Sequence, residues 1–159
     1  MRLFYSSLIF LLLGVFPLYA EEENTLPVPR FVSLRSNEVN VRVGPGARYN
    51  IIWVYKKDGL PVEIIQEFDD WREIRDSEGT VGWVHKQMVQ GKRNALIMQD
   101  MAILRKSPDE KSRAIVKLEA GVIAKISECE VDWCKIQVSG SKGWLKKTSL
   151  FGAYRKEKF

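Results

Sequence analysis

Apolar and polar residues alternate in short runs along most of this chain. V-N-V-R-V at 39–43 alternates with period two, the spacing of a strand with one buried face. G-P-G-A-R-Y-N at 44–50 breaks the run, and I-I-W-V-Y at 51–55 forms a dense strand candidate. K-K-D-G turns the chain, L-P-V-E-I-I alternates again, and F-D-D turns it once more. W-R-E-I-R, the turn D-S-E-G and the short strand V-G-W-V-H complete the set, with room for a single 3₁₀ turn from Lys86 to Val89. Such short, closely spaced strands predict a small all-β barrel or sandwich. No window carries the period of a long amphipathic helix.

The same texture then returns, which is the signature of an internal repeat. Arg42 aligns with Arg105 and Pro45 with Pro108. After a one-residue deletion Gly59 meets Gly121, Trp71 meets Trp133 and Ile74 meets Ile136. After another, Gly82-Trp83-Val84 meets Gly143-Trp144-Leu145, and Gly91 meets Gly152. The repeat divides the chain into a linker at 21–30, modules at 31–91 and 92–152, and a short basic tail at 153–159 expected to fray. Each module has about five short strands, too few for two separate sheets, so it is expected to curl into a barrel that buries one face. Val41, Val43, Ile52, Val54, Val62, Ile64, Ile74 and Val84 are the expected core of the first module, with Glu63 facing outward.

N-V-R-V-G-P-G at Asn40 to Gly46, together with the later D-W and G-W-V segments, resembles the bacterial Src-homology-3-like domain. The likeness is to the tandem form in exported proteins of Gram-negative bacteria and covers nearly all of residues 31–152. It implies two five-stranded barrels that bind cell-wall (peptidoglycan) peptides or protein partners of the envelope. The second module departs from the pattern: L-R-K-S-P-D stands where the first has V-R-V-G-P-G, so its first loop lacks both glycines.

Candidate chemistry is sparse. G-P-G at 44–46 lacks the G-K-S/T of a phosphate loop and reads as a tight turn, with glycine supplying positive φ. Trp71 and Trp83 read mainly as packing residues. Tyr49, in a loop, and Trp53 and Tyr55, on one strand face, are the candidates for an exposed peptide groove. Asn40 and Arg42 are secondary candidates. Arg42 and its repeat partner Arg105 have two readings, a structural bond to a loop carbonyl or carboxylate and a carboxylate-binding fork. Asp69, Asp70, Asp76 and Glu78 read as turn formers. His85 is the only histidine and reads as satisfied or solvent-facing. No Ser-His-Asp, H-E-x-x-H or paired-carboxylate pattern is present, and two cysteines with one histidine do not make a zinc site at this spacing. The expectation is a non-enzymatic binding module with no metal or cofactor, against a small cell-wall hydrolase or a structural envelope scaffold as alternatives.

The N-terminus sets the compartment. Arg2, an apolar run from Leu3 to Tyr19 and small Ala20, followed by Glu21-Glu22-Glu23, have the order of a secretory signal peptide over residues 1–20. An uncleaved anchor is the competing reading, and the rest of the chain holds no run of the roughly 20 apolar residues a span needs. The protein is therefore expected outside the cytoplasm, in the periplasm. The net charge of +5 suits anionic envelope surfaces. Nucleic acid is set aside because an exported chain rarely meets it. In an oxidising compartment Cys129 and Cys134 have a natural pairing. By the repeat, Cys129 matches Glu67 at a strand end and Cys134 matches Arg72 after the next tryptophan, which places them across a hairpin. A disulfide is expected there, with a reduced buried pair as the alternative.

Overall fold

The computed structural model describes residues 26–159. The expected signal segment at 1–20 and the linker positions before Leu26 lie outside the described residues. Two all-β modules follow one another. In the first, the strands are β1 (Arg30–Leu34), β2 (Val39–Arg42), β3 (Ile51–Tyr55), β4 (Pro61–Phe68), β5 (Trp71–Arg75), β6 (Val81–His85) and β7 (Val89–Gln90). In the second they are β8 (Asn94–Ile97), β9 (Ala102–Arg105), β10 (Ala114–Leu118), β11 (Ile123–Cys129), β12 (Trp133–Val138), β13 (Ser141–Lys146) and β14 (Leu150–Phe151). The sheet orders are β3-β2-β6-β5-β4-β1-β7 and β10-β9-β13-β12-β11-β8-β14, the same order repeated. The five anticipated strands are all present. Each module adds a strand before them and a two-residue strand after them, so the ladder runs through seven strands and does not close into a barrel. A single 3₁₀ turn joins β6 to β7 at Lys86–Met88, and its copy spans Lys147–Ser149.

The repeat extends to individual backbone bonds. The amides of Gly59 and Gly121 donate to the carbonyls of Leu34 and Ile97. The amides of Lys86 and Lys147 donate to Asp70 and Asp132. The Arg42 guanidinium donates to the Tyr49 carbonyl, and that of Arg105 to the Ser112 carbonyl, each at 2.7 Å. The two arginines are thus held as the structural reading expects, each tying down the end of its own first loop.

Val41, Val62, Ile64, Ile74 and Val84 are buried as anticipated, beside Val32, Leu34, Val39 and Val89. Val43 and Ile52 are not core: they are 56% and 48% exposed, and Val54 is only half-buried. The cause is β3. Val39 pairs with Tyr55 and Val41 with Trp53, so the two aromatics share the face of the buried valines and Val54 takes the other. A bulge between Val41 and Arg42 makes Ile52 the extra residue. Five apolar residues in a row carry no parity signal, so the sequence alone could not orient this strand.

The glycine loop also has a different basis from the expected one. Gly44 and Gly46 do not have positive φ. They are glycine because the Tyr49 ring lies on them: a Cβ on Gly44 would meet that ring at 2.8 Å, and one on Gly46 at 3.3 Å. In the second module Tyr49 is replaced by Ser112 and Gly44 by Ser107, and the Ser107 amide donates to the Ser112 hydroxyl. The loop bonds Gly46 N–H to Gly44 O and Tyr49 N–H to Gly46 O recur as Asp109 to Ser107 and Ser112 to Asp109. Loss of the glycines therefore leaves the loop path unchanged.

Cys129 and Cys134 form a disulfide across β11 and β12, with Cα atoms 4.1 Å apart. The two residues face each other directly. Cys129 spends its amide and carbonyl on Phe159 on the far side, which leaves the cysteine pair as the close, non-hydrogen-bonded kind. Both sulfurs are buried in the module-two core. Native protein treated with an alkylating reagent without reductant is expected to take up no label, and mass spectrometry checks this; labelling of both thiols would contradict the bridge.

The tail expected to fray is instead an ordered strap. Phe159 exchanges both backbone bonds with Cys129. The Glu157 carboxylate accepts from Arg93 at 2.6 and 2.9 Å and from the Tyr154 amide. Burial alone would raise the Glu157 pKa, but these donors and the nearby Arg93 and Lys147 charges hold it below its ordinary value. A depressed carboxylate stabilises the fold above its unfolded pKa, and that contribution is lost as pH falls through its folded one. Among the described residues, no helix is long and apolar enough to cross a membrane.

Candidate functional site

The sequence-predicted residues of module one divide between core, loop and surface. Tyr55 is buried, and its hydroxyl donates to Asp76 at 2.7 Å. Burial first, then this bond to a carboxylate, pushes its pKa far above that of an exposed phenol. Asp76 in turn accepts the amides of Glu78 and Thr80, so it shapes the β5–β6 turn while it clamps the tyrosine. Tyr55 is therefore a core residue and not the wall of an open groove. Tyr49 is half-buried over its glycines, with Arg48 stacked 5.3 Å from the ring centroid. Asn40 is exposed on β2, opposite Val54. Trp53 is 54% exposed and, with Ile51 and Ile52, leaves an apolar edge along β3. Its ring stands 6.4 Å from that of Tyr55. Replacing Trp53 with alanine is expected to cost no more than about 1 kcal/mol of stability, as for a surface position. Urea unfolding measures this, and a loss above about 2 kcal/mol would place the ring in the core.

Among the described residues, module two carries a well-formed concavity. A cleft of about 590 Å³ opens between the β9–β10 loop, the β11–β12 hairpin, the second 3₁₀ turn and the strap. Pro108, Glu110, Trp133, Lys146, Lys147 and Arg155 are among the residues that line it. Two smaller depressions of about 300 and 340 Å³ adjoin it, and Trp133 borders all three. The ring is half-buried at the first position of β12. Lys146 lies over it at 5.7 Å and pairs with Glu110 across the cleft. Asp132 stands beside the ring, and its carbonyl accepts the Lys147 amide. Lys147 is buried, which lowers its pKa against the pull of Glu157 and Asp132. Its ammonium is held by the carbonyls of Arg155 and Glu157 in the strap.

The corresponding place in module one has different chemistry. Trp71 packs edge-on against His85, with centroids 5.5 Å apart. His85 Nδ1 accepts the Gln87 amide, and Lys86 pairs with Asp70 at 2.6 Å. That contact with the Lys86 ammonium is what lowers the Asp70 pKa. Gly46 and Ala47 stand where module two has Asp109 and Glu110, and His85 stands where it has Lys146. Sequence reasoning placed the site in module one because its motif is the more regular. The overlooked signal was this exchange: three charged residues gather around a tryptophan in one copy of the repeat and not in the other.

The bacterial SH3 domain family matches the chain twice, at residues 35–91 and 98–152. YrvJ of Bacillus subtilis (strain 168), named as an N-acetylmuramoyl-L-alanine amidase, is 28% identical over 123 residues, which are 70% of this chain and 24% of that protein. NlpC2 from Trichomonas vaginalis aligns in structure with a TM-score of 0.36 at 14% identity, over 80% of this chain and 49% of its own. An NlpC/P60 family protein from Bacillus cereus ATCC 10987 aligns with a TM-score of 0.35 at 11% identity, over 76% and 55%. The chain thus spans about a quarter of the amidase and about half of each of these solved structures.

Proposed function

The chain belongs to the bacterial SH3 domain family through both of its modules, and from that premise we propose that it is a non-catalytic binding protein of the cell envelope, exported to the periplasm, whose ligand is the peptide part of peptidoglycan. The observation that carries this reading is the Trp133 cleft. Its aromatic face is flanked by carboxylates from Glu110 and Asp132 and by cations from Lys146 and Arg155. A short peptide with free amino and carboxylate groups can stack on such a ring and meet both signs of charge. Wall peptides have that composition. The relative named as an amidase of the N-acetylmuramoyl-L-alanine bond supports a wall ligand. The signal-like order of residues 1–20 and the disulfide support export.

The chain lacking residues 1–20 is expected to pellet with purified peptidoglycan sacculi and to be released by salt, because the charged groups at the cleft mouth are screened. A protein that stays in the supernatant at low salt rejects the reading. The same mixture followed by turbidity, with a zymogram beside it, tests the hydrolase alternative. No clearing is expected, and a cleared band at this protein's mass would overturn the non-catalytic part. The apolar β3 edge around Trp53 favours a second reading, an extended segment of an envelope protein laid along that strand. Binding that Trp53→Ala removes and Trp133→Ala leaves intact would select it.

A further inference from the structure

The strap touches the cleft and the other module at consecutive residues. Ala153 and Arg155 line the module-two cleft. Tyr154, between them, points the opposite way, into module one. Its hydroxyl donates to Glu63 at 2.8 Å, and its ring lies 4.7 Å from Phe31. Glu63 faces outward from its own sheet, as its parity requires, yet it is only 6% exposed because the strap covers it. Its other carboxylate oxygen is occupied by Arg75 at 2.5 and 3.0 Å. A carboxylate so placed orients one donor from the strap and one from module one. The phenol responds in kind, raised by burial and then by the carboxylate beside it.

The remaining strap contacts lead back to the cleft. Glu157 and the Gly152 carbonyl fix Arg93, the residue that joins the two modules. The Arg93 guanidinium stacks 4.8 Å from Phe159 and 6.0 Å from Phe31. The carbonyls of Arg155 and Glu157 hold Lys147, a cleft residue. Phe159 closes on Cys129, which borders the depression beside Trp133. The strap is therefore one wall of the cleft and also the clasp between the modules.

We propose that the strap Ala153–Phe159 couples the module-two cleft to module one, with Tyr154 as the positioning residue: docking of Tyr154 on Glu63 sets the shape and affinity of the cleft, and filling the cleft strengthens the docking in return. The second half follows from the first, because a coupling free energy between two sites is reciprocal. The proposal rests on the reading of the cleft as a binding site. Module one acts at a distance here, through a residue that touches no cleft ligand.

The test uses the chain lacking residues 1–20 and three variants, Glu63→Ala, Glu63→Gln and Tyr154→Phe. Binding to purified sacculi and hydrogen exchange at the Phe159 and Lys147 amides are both measured. Glu63→Ala and Tyr154→Phe are expected to weaken binding fivefold or more and to speed exchange at both amides, while the β5 and β6 amides of module one stay protected. Glu63→Gln keeps an acceptor for the phenol and is expected to recover most of the binding. Saturating sacculi are expected to slow Phe159 exchange in the unmodified chain. Unchanged binding with faster exchange would overturn the coupling and leave the strap as a staple; unchanged exchange in Glu63→Ala would overturn it as well. If the unmodified chain does not bind sacculi, the binding reading fails by itself. The coupling is then decided without ligand, by whether Glu63→Ala changes the Lys147 amide and the Trp133 indole resonance, and no change at either overturns it.

Discussion

Replacing Trp133 with alanine is expected to reduce affinity for a soluble peptidoglycan stem peptide about 30-fold. An aromatic anchor at the centre of a desolvated patch contributes about 2 kcal/mol or more, and each 1.4 kcal/mol is a factor of ten. Trp133 has that position: it is half-buried, it borders the cleft and both depressions beside it, and Lys146 and Glu110 rim it. The matching Trp71→Ala change is expected to cost much less affinity. Its ring packs against His85, and its loop offers Gly46 and Ala47 where Trp133 has Asp109 and Glu110. Titration followed by calorimetry separates the two, with urea unfolding of each variant to show that it remains folded. Trp133→Phe keeps a stacking face and is expected to retain most of the binding. Equal losses for the two tryptophans would mean that the modules bind alike and that the charged exchange in module two is decoration. No loss for Trp133→Ala would move the site elsewhere.

How the charged cleft arises explains what could be read from the sequence. The repeat, the strands and the cysteine pair were all legible, because each rests on local spacing: period two, glycine turns, and two residues facing across a hairpin. Orientation was legible only where polar residues mark a face. It succeeded for V-N-V-R and for P-V-E-I and failed for I-I-W-V-Y, where Trp53 and Tyr55 turn toward the core side and only Tyr55 reaches it. Glu63 shows a second limit. Its outward parity was correct, and its burial was invisible because the cover comes from Tyr154, 91 positions further along the chain. The strap failed for the same reason. Its sequence is charged and short, and its order comes from partners in three other places: Arg93, Cys129 and Glu63. Some of this was recoverable by reading the two copies against each other. Gly44 and Tyr49 change together to Ser107 and Ser112, which is the trace of a ring resting on a glycine.

Gly91 and Gly152 occupy the same place in the repeat, yet alanine at the two is expected to have very different effects. At Gly91 an added Cβ meets nothing within 4 Å, and φ is not positive. Alanine there should be neutral or slightly stabilising, since it removes freedom from the unfolded chain. At Gly152 φ is +131°, and the new Cβ would lie 2.3 Å from the Asn94 carbonyl oxygen and 3.1 Å from the Ala95 Cα. Those are backbone atoms of β8 that no rotamer change can move. Overpacking costs about 1–3 kcal/mol and a disallowed backbone conformation a similar amount, so Gly152→Ala is expected to lose about 3 kcal/mol or more. Small modules have little stability to spare, so that loss is a large fraction of what holds module two together. The Gly152 carbonyl also accepts from Arg93, and the strap begins at the next residue. The strap should therefore detach first, seen as faster exchange of the Phe159 amide, before the module-two tryptophans report unfolding in urea. Module one, whose Gly91 carries no such constraint, should keep its own transition. A Gly152→Ala protein within 1 kcal/mol of the unmodified chain, or a Gly91→Ala protein as damaged as it, would show that the close approach of residue 152 to β8 does not hold the second module.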